Sequence, residues 1–307
     1  MMNNTIQKNK MTRIGLIDVD GHHLPNLPLM KLSAYHKALG DAVEWYEYGL
    51  FNERYDRVYC AKVFSGTPDF SQPINADEVI RGGTGYTLEG TLPDEIEHTY
   101  PDYSLYGIED TAYGFLTRGC PRGCSFCIVG DKEGRRSVKV ANLDEFWRGQ
   151  KSIVLCDPNI LACRDWEDLL GQLADSKALV DFNQGLDARL LTPQKIEALN
   201  RVKIKEIHFA WDRYEEGRVI LPKLMMYSEM GKFKKTAHNA IVYVLCNYDT
   251  TIEQDLERIY TLRDLGYWAY VMLYDKENAS REHRRMQRWC NNRFIFAKCK
   301  RFEDYNG

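Results

Sequence analysis

The sequence predicts an α/β fold in two parts: a Rossmann-like N-terminal domain followed by a partial (β/α)6 barrel of the TIM type. Three observations lead there. Between residues 13 and 90 short apolar runs alternate with stretches of helical spacing; residues 91–108 turn to prolines, acids and tyrosines; and from residue 113 six strand-like runs alternate with helical patterns. The expected limits are residues 1–11 for a disordered tail, 12–104 for the first domain, 105–275 for the barrel and 276–307 for a basic C-terminal segment.

Residues 14–19 read as a buried strand that ends in Asp18-Val19-Asp20-Gly21, and a loop with Pro25 and Pro28 follows. Leu29, Leu32, Tyr35 and Leu39 then recur at helical spacing as far as Gly40, a residue suited to stopping a helix. Residues 43–46, 58–64 and 78–80 supply three more strands, the last running into Gly82-Gly83. Pro93, Tyr100, Pro101, Tyr103 and Tyr106 mark a linker between the domains. The barrel strands are expected at residues 113–116, 153–156, 179–182, 204–210, 241–245 and 268–273. Helices fit between them, for example at 165–174, at 193–200 with Thr192 as cap, and at 252–265 opened by Thr250 or Thr251. In such a fold functional groups gather just after each strand, so those positions are the ones to read for chemistry.

Composition excludes several classes. At 307 residues, 44% hydrophobic and 28% charged, the chain has the balance of an ordinary globular protein, and no apolar run approaches the roughly 18 residues of a membrane span. No apolar block or small-residue cleavage site follows the polar start, so a secretory leader is not expected and the cytoplasm is. The net charge of -3 confines any polyanion binding to a local patch. Nine cysteines, three of them crowded into eight residues, suit metal ligation in a reducing compartment better than a disulfide framework. There is no nucleophile elbow, P-loop or H-E-x-x-H, and Gly83-Thr84-Gly85 lacks the third glycine of a dinucleotide fingerprint.

The crowded cysteines are Cys120, Cys124 and Cys127, in the stretch Thr117-Arg118-Gly119-Cys120-Pro121-Arg122-Gly123-Cys124-Ser125-Phe126-Cys127 that follows the first barrel strand. Thiolates favour zinc, copper or iron-sulfur clusters, and three of them can hold three corners of a cubane while the fourth iron stays open. Gly119 and Gly123 let the backbone wrap closely, and Arg118 and Arg122 place positive charge beside an anionic cluster. A structural zinc site is the alternative; it wants four ligands in paired spacing, and only Cys124 and Cys127 form such a pair unless Cys156 or Cys163 completes it.

This loop resembles the cluster loop of radical S-adenosylmethionine enzymes, C-x3-C-x-aromatic-C. The resemblance implies a 4Fe-4S cluster on Cys120, Cys124 and Cys127 whose open iron binds S-adenosylmethionine. An electron, from a donor such as flavodoxin or ferredoxin, then cleaves the sulfonium to a 5'-deoxyadenosyl radical that modifies a substrate. Phe126 corresponds to the aromatic beside the adenine. The first domain is similar to the cobalamin-binding-type domain that precedes the barrel in one branch of the family: residues 25–43 match its first helix and second strand, and Val79-Ile80-Arg81-Gly82-Gly83 its glycine turn. The cofactor signature D-x-H-x-x-G, however, reads Asp20-Gly21-His22-His23-Leu24-Pro25, and proline at the glycine position argues against cobalamin itself.

The resemblance also implies the remaining site residues. Asp157 and Asn159 stand where family members bind the amino group of S-adenosylmethionine, although Asp157-Pro158-Asn159 is also a natural turn. After the third strand, Arg189 either clamps the methionyl carboxylate or pairs with Asp187. Gln184 or Asp212 is the candidate acceptor for ribose hydroxyls, and Asn247 the candidate adenine contact. Finally, residues 276–301 carry nine lysines and arginines against two acids, interleaved with Trp289, Phe294 and Phe296. That stripe reads either as a grip for nucleic acid or another anion or as a solvated terminal helix, and it supports a second reading of the chain: a non-catalytic zinc or iron-sulfur module that binds a polyanion.

Overall fold

The computed structural model describes residues 11–49, 53–236 and 239–307, so the tail expected over residues 1–11 lies, Met11 apart, outside the described residues. The chain divides into two units, Met1–Glu109 and Asp110–Gly307.

In the first unit, β1 (Arg13–Asp18) forms because its apolar side chains fill two cores at once. Ile14 and Leu16 pack with Leu29 and Leu32, while Ile17 packs on the other face with Tyr55, Val58 and Cys60. Helix α1 (Leu27–Ala38) is opened by Asn26, whose side chain accepts from the Leu29 amide at 3.2 Å, and it stops before Gly40 at φ 86°. Strands β2 (Ala42–Trp45), β3 (Tyr55–Ala61) and β4 (Ala76–Gly82) complete a parallel sheet in the order β2-β1-β3-β4, and a short helix α2 (Asp94–Glu97) follows.

Two expectations are corrected here. The third strand starts earlier than residue 58 and ends at Ala61, because the Lys62 carbonyl accepts from the Gly85 amide (2.9 Å). Gly83, at φ 98°, lies so close to that same carbonyl that a Cβ would clash with it. The expected alternation of strand and helix also fails between β3 and β4, where residues 62–75 hold no helix; Gly66, Pro68 and Pro73 interrupt any helical run. β4 is an edge strand with Asp77, Glu78 and Arg81 exposed, and ion pairs Arg54–Asp77 (2.9 Å) and Arg57–Glu78 (2.6 Å) line it.

The second unit opens with β5 (Thr111–Gly114), two residues before its expected start. The chain then makes a small antiparallel pair, β6 (Thr117–Arg118) with β7 (Val138–Lys139), that brackets the cysteine loop and the one-turn helix α3 (Val129–Lys132). After it come β8 (Ser152–Leu155), α4 (Trp166–Ser176), β9 (Leu179–Leu186), α5 (Pro193–Leu199), β10 (Ile204–Ala210), α6 (Gly217–Met230), β11 (Ala240–Cys246), α7 (Ile252–Asp264) and β12 (Trp268–Leu273). The sheet is parallel throughout, and its order β12-β11-β10-β9-β8-β5 follows the sequence without a reversal.

Thr192 and Thr251 cap α5 and α7 through their side chains. β9 runs past its expected end, through Asn183, Gln184 and Gly185, because Gly185 at φ 91° carries the chain through a shift of register against β10. One face of this sheet is apolar and buried, with Ile153, Val180, Phe182, Ile207, Phe209, Val242, Val244, Ala269 and Val271. The alternate positions are more open: Tyr270 and Met272 are 40% and 47% exposed, an unusual state for a parallel sheet.

Helices α8 (Arg281–Asn291) and α9 (Arg293–Lys298) end the unit. Of the three aromatics interleaved with the basic stripe, Phe294 is 68% exposed with Arg293 over its ring at 5.1 Å, while the other two face the interior. Trp289 is fully buried, Phe296 is 9% exposed, and the two rings pack edge to face at 4.9 Å. Arg285 lies over the Phe302 ring at 4.4 Å and donates to the Tyr305 carbonyl, so part of the charge is spent on the fold. No helix among the described residues is long and apolar enough to cross a membrane.

Candidate metal centre

The cysteine loop is built from its hairpin outward. Asp157, just beyond β8, is buried; one carboxylate oxygen accepts from the Thr117 amide and hydroxyl (both 2.6 Å) and the other from the Leu116 amide (3.0 Å). Burial pushes its carboxyl up to about 6, against the pull of those donors. Both oxygens therefore strap β6 to the end of β8 and brace the loop. On the far side Glu133 accepts from the Arg118 guanidinium (2.9 Å) and the Gly119 amide (3.1 Å), while the Cys120 amide donates to the Gly134 carbonyl (3.1 Å). Gly119, at φ 80°, passes so close to the Arg136 carbonyl that a Cβ would clash.

The three thiols then lie along a loop with two successive turns, at 121–122 and 125–126. Cys120 is half-buried and receives an N–H···S contact from the Asn159 amide at 3.4 Å; the Asn159 Oδ1 is buried with no hydrogen-bond partner. The Cys127 amide donates to the Cys124 carbonyl at 3.0 Å. Burial raises the Cys124 thiol; Arg189 opposes this, and Asp212, Cys127 and Cys120 reinforce it, so the group senses both other thiols. Nearby Cys156 is pushed up to about 12 by burial and stays a neutral thiol.

The later strands contribute a polar rim. Asp187, after β9, takes Arg122 of the cysteine loop at 2.5 Å and Arg189 at 2.7 Å, and Arg189 reaches on to Glu216. Of the two roles open to Arg189, the geometry contains the Asp187 pair. Phe126 packs edge to face on Tyr248 (5.3 Å), whose hydroxyl lies 2.6 Å from Ser125 Oγ; Tyr248 in turn meets Tyr274 at 4.7 Å. Asn247 sits between β11 and α7 at φ 62°, a left-handed conformation that asparagine tolerates. Gln184 is exposed on β9.

Asp212, after β10, has its carboxyl pushed up to about 6, mainly by burial, with Arg258 and Arg189 pulling down and Glu216 and Asp187 pushing up. Its folded value lies above the ordinary 3.8, so the folded state holds the proton more tightly. The stabilisation is complete below pH about 4 and is lost as pH rises through about 6. Asp212→Asn should flatten that part of the stability profile and raise stability at pH 7 by up to roughly 2–3 kcal/mol in urea unfolding. An unchanged profile would remove Asp212 as its source.

Periodicity and motifs did not reveal Arg258 of α7, which is fully buried and ties two strand ends together. It donates to the carbonyls of Trp211 (2.7 Å), Asp212 (3.0 Å) and Leu245 (2.7 Å) and pairs with Asp255 at 2.5 Å. Its one signal in the sequence is the Asp255-x-x-Arg258 spacing, which is equally that of a surface helix pair. Glu133 and Tyr248 carried no signal at all. The chain matches no known protein-family profile and no curated protein sequence.

Proposed function

We propose that the chain is a radical S-adenosylmethionine enzyme with a 4Fe-4S cluster on Cys120, Cys124 and Cys127, acting on a substrate within an open (β/α)6 barrel. The observation that carries this is one loop, braced on both sides and turned by glycine, presenting three free thiols beside side chains from the strand ends that follow. The sequential parallel order of the six strands supports the open barrel, and the 2-1-3-4 order of the first sheet supports a Rossmann-like domain.

The donor set fits the group. Three soft thiolates on one loop suit three corners of a cubane and leave the fourth iron open, whereas a closed zinc site wants a fourth protein ligand. When bound, the cluster would supply the electron that cleaves S-adenosylmethionine to a 5'-deoxyadenosyl radical. The chain's own residues bind and orient: Asn159 donates toward Cys120, Phe126 and Tyr248 wall one side of the loop, and Asp212 and Gln184 offer polar groups to a ribose.

Anaerobic reconstitution tests the proposal. The expected result is about four irons per chain and, with dithionite and S-adenosylmethionine, formation of 5'-deoxyadenosine. Stoichiometric zinc with no cleavage product would reject it and leave the non-catalytic module. A flavodoxin- or ferredoxin-type protein is the proposed donor, and it should replace dithionite in the same assay.

A further inference from the structure

We propose that Asp181, Glu206 and His208 form a metal centre separate from the cysteine loop, a site for one divalent ion of oxygen and nitrogen preference such as Mn(II). Asp181 on β9 is the register partner of Glu206 on β10, and His208 follows two residues later, so the period of a strand sets all three on one face. It is the more open face of the six-stranded sheet, the one that carries Tyr243 and Tyr270. One ligand atom from each of the three lies within 4.8 Å of the others, and Asp181 Oδ1 is 3.5 Å from His208 Nδ1.

The imidazole is held as a ligand needs to be. Its side chain is 6% exposed, its Nδ1 lies 3.1 Å from the Phe182 carbonyl, and its ring stacks on Tyr243 at 5.2 Å and 9°. Tyr243 is itself fixed, donating its hydroxyl to the Asn183 carbonyl at 2.9 Å. The nitrogen that faces Asp181 is Nδ1, the same one that lies beside the Phe182 carbonyl, so an ion is bound there by the tautomer with its proton on Nε2, and the carbonyl stands by as a further oxygen donor. Burial lowers the tendency of His208 to protonate, which keeps that lone pair available.

Asp181 supplies an independent sign. Its Oδ1 is buried and has no hydrogen-bond partner, a costly state for a carboxylate oxygen, with His208 Nδ1 at 3.5 Å facing it. Burial, and then the charge of Glu206, push its carboxyl up to about 6, with Lys205 opposing. A divalent cation removes both penalties, because it replaces the lost solvation and screens the two acids from each other. Two carboxylates, one imidazole and no thiolate make a hard donor set that suits Mn(II) or Fe(II) over a soft ion.

Mn(II) titration of the full chain, with free Mn(II) read by EPR, tests the site, since Mn(II) has little affinity for the cysteine loop. The expected result is one saturable ion per chain, weakened at least about tenfold in Asp181→Asn and in Glu206→Gln and retained in Cys124→Ala. Both acid variants are close in shape to the native residues and relieve like-charge repulsion, so unchanged thermal melts should accompany the loss. The proposal is overturned by an absence of saturable binding, by binding that survives both acid variants, or by binding lost in Cys124→Ala. Because the site does not depend on the cluster, its failure leaves the radical reading standing, and the reverse holds too.

Discussion

Cys124→Ala is expected to lose the iron signal after reconstitution and to bring 5'-deoxyadenosine formation down to background, a loss of at least about three orders of magnitude. Cys124 is the middle member of the proposed trio, half-buried like Cys120, and its thiol senses both neighbours. The fully buried Cys290, which donates to the Ala269 carbonyl, provides no substitute ligand. Cys299→Ser is the control: Cys299 lies beyond α9 with its thiol directed to the Arg301 carbonyl, and its replacement should leave iron content and product unchanged. Iron retained in Cys124→Ala, or lost in Cys299→Ser, would show that the ligand set is wrong.

The largest expected effect on stability belongs to Arg258→Met. The substitution takes the arginine from Asp255, a fully buried carboxylate that keeps the Thr250 hydroxyl (2.6 Å) and His283 Nε2 (3.8 Å), and it releases the carbonyls of Trp211, Asp212 and Leu245. Breaking a buried pair from one side typically costs about 3–5 kcal/mol, and the released carbonyls add to it. Thermal and urea unfolding should therefore show a loss of that size. The double variant Asp255→Asn with Arg258→Met separates the causes: recovery of much of the loss assigns it to the uncompensated charge, and no recovery assigns it to the carbonyls. A loss below about 1 kcal/mol in the single variant would contradict the whole account.

What was legible in the sequence was local. β10 and β12 appear at their expected bounds because their apolar runs are bordered by polar residues, and α5 and α7 announce themselves through Thr192 and Thr251. The cysteine loop was readable because its three thiols fall within eight residues. β9 was cut short because Asn183, Gln184 and Gly185 look like a loop, while pairing with β10 holds them in the strand. α6 was hidden by Pro222, which a helix of 14 residues tolerates inside it.

The rest depends on partners distant in the chain. Asp157 meets Leu116 and Thr117 across some forty residues, and Arg258 reaches the ends of two strands before its own helix. Asp181 and His208 are separated by a helix and come together only through strand register. No spacing rule within a window of a few residues carries such information.

The charged border of β4 also bears on how copies of this chain behave in company. An outermost strand offers its backbone donors and acceptors to any extended segment that arrives, a route to runaway sheet growth. Here a newcomer would have to strip water from Asp77, Glu78 and Arg81 and disturb the pairs that Arg54 and Arg57 make along the rim. This edge of the sheet thus carries a charged deterrent to self-recruitment.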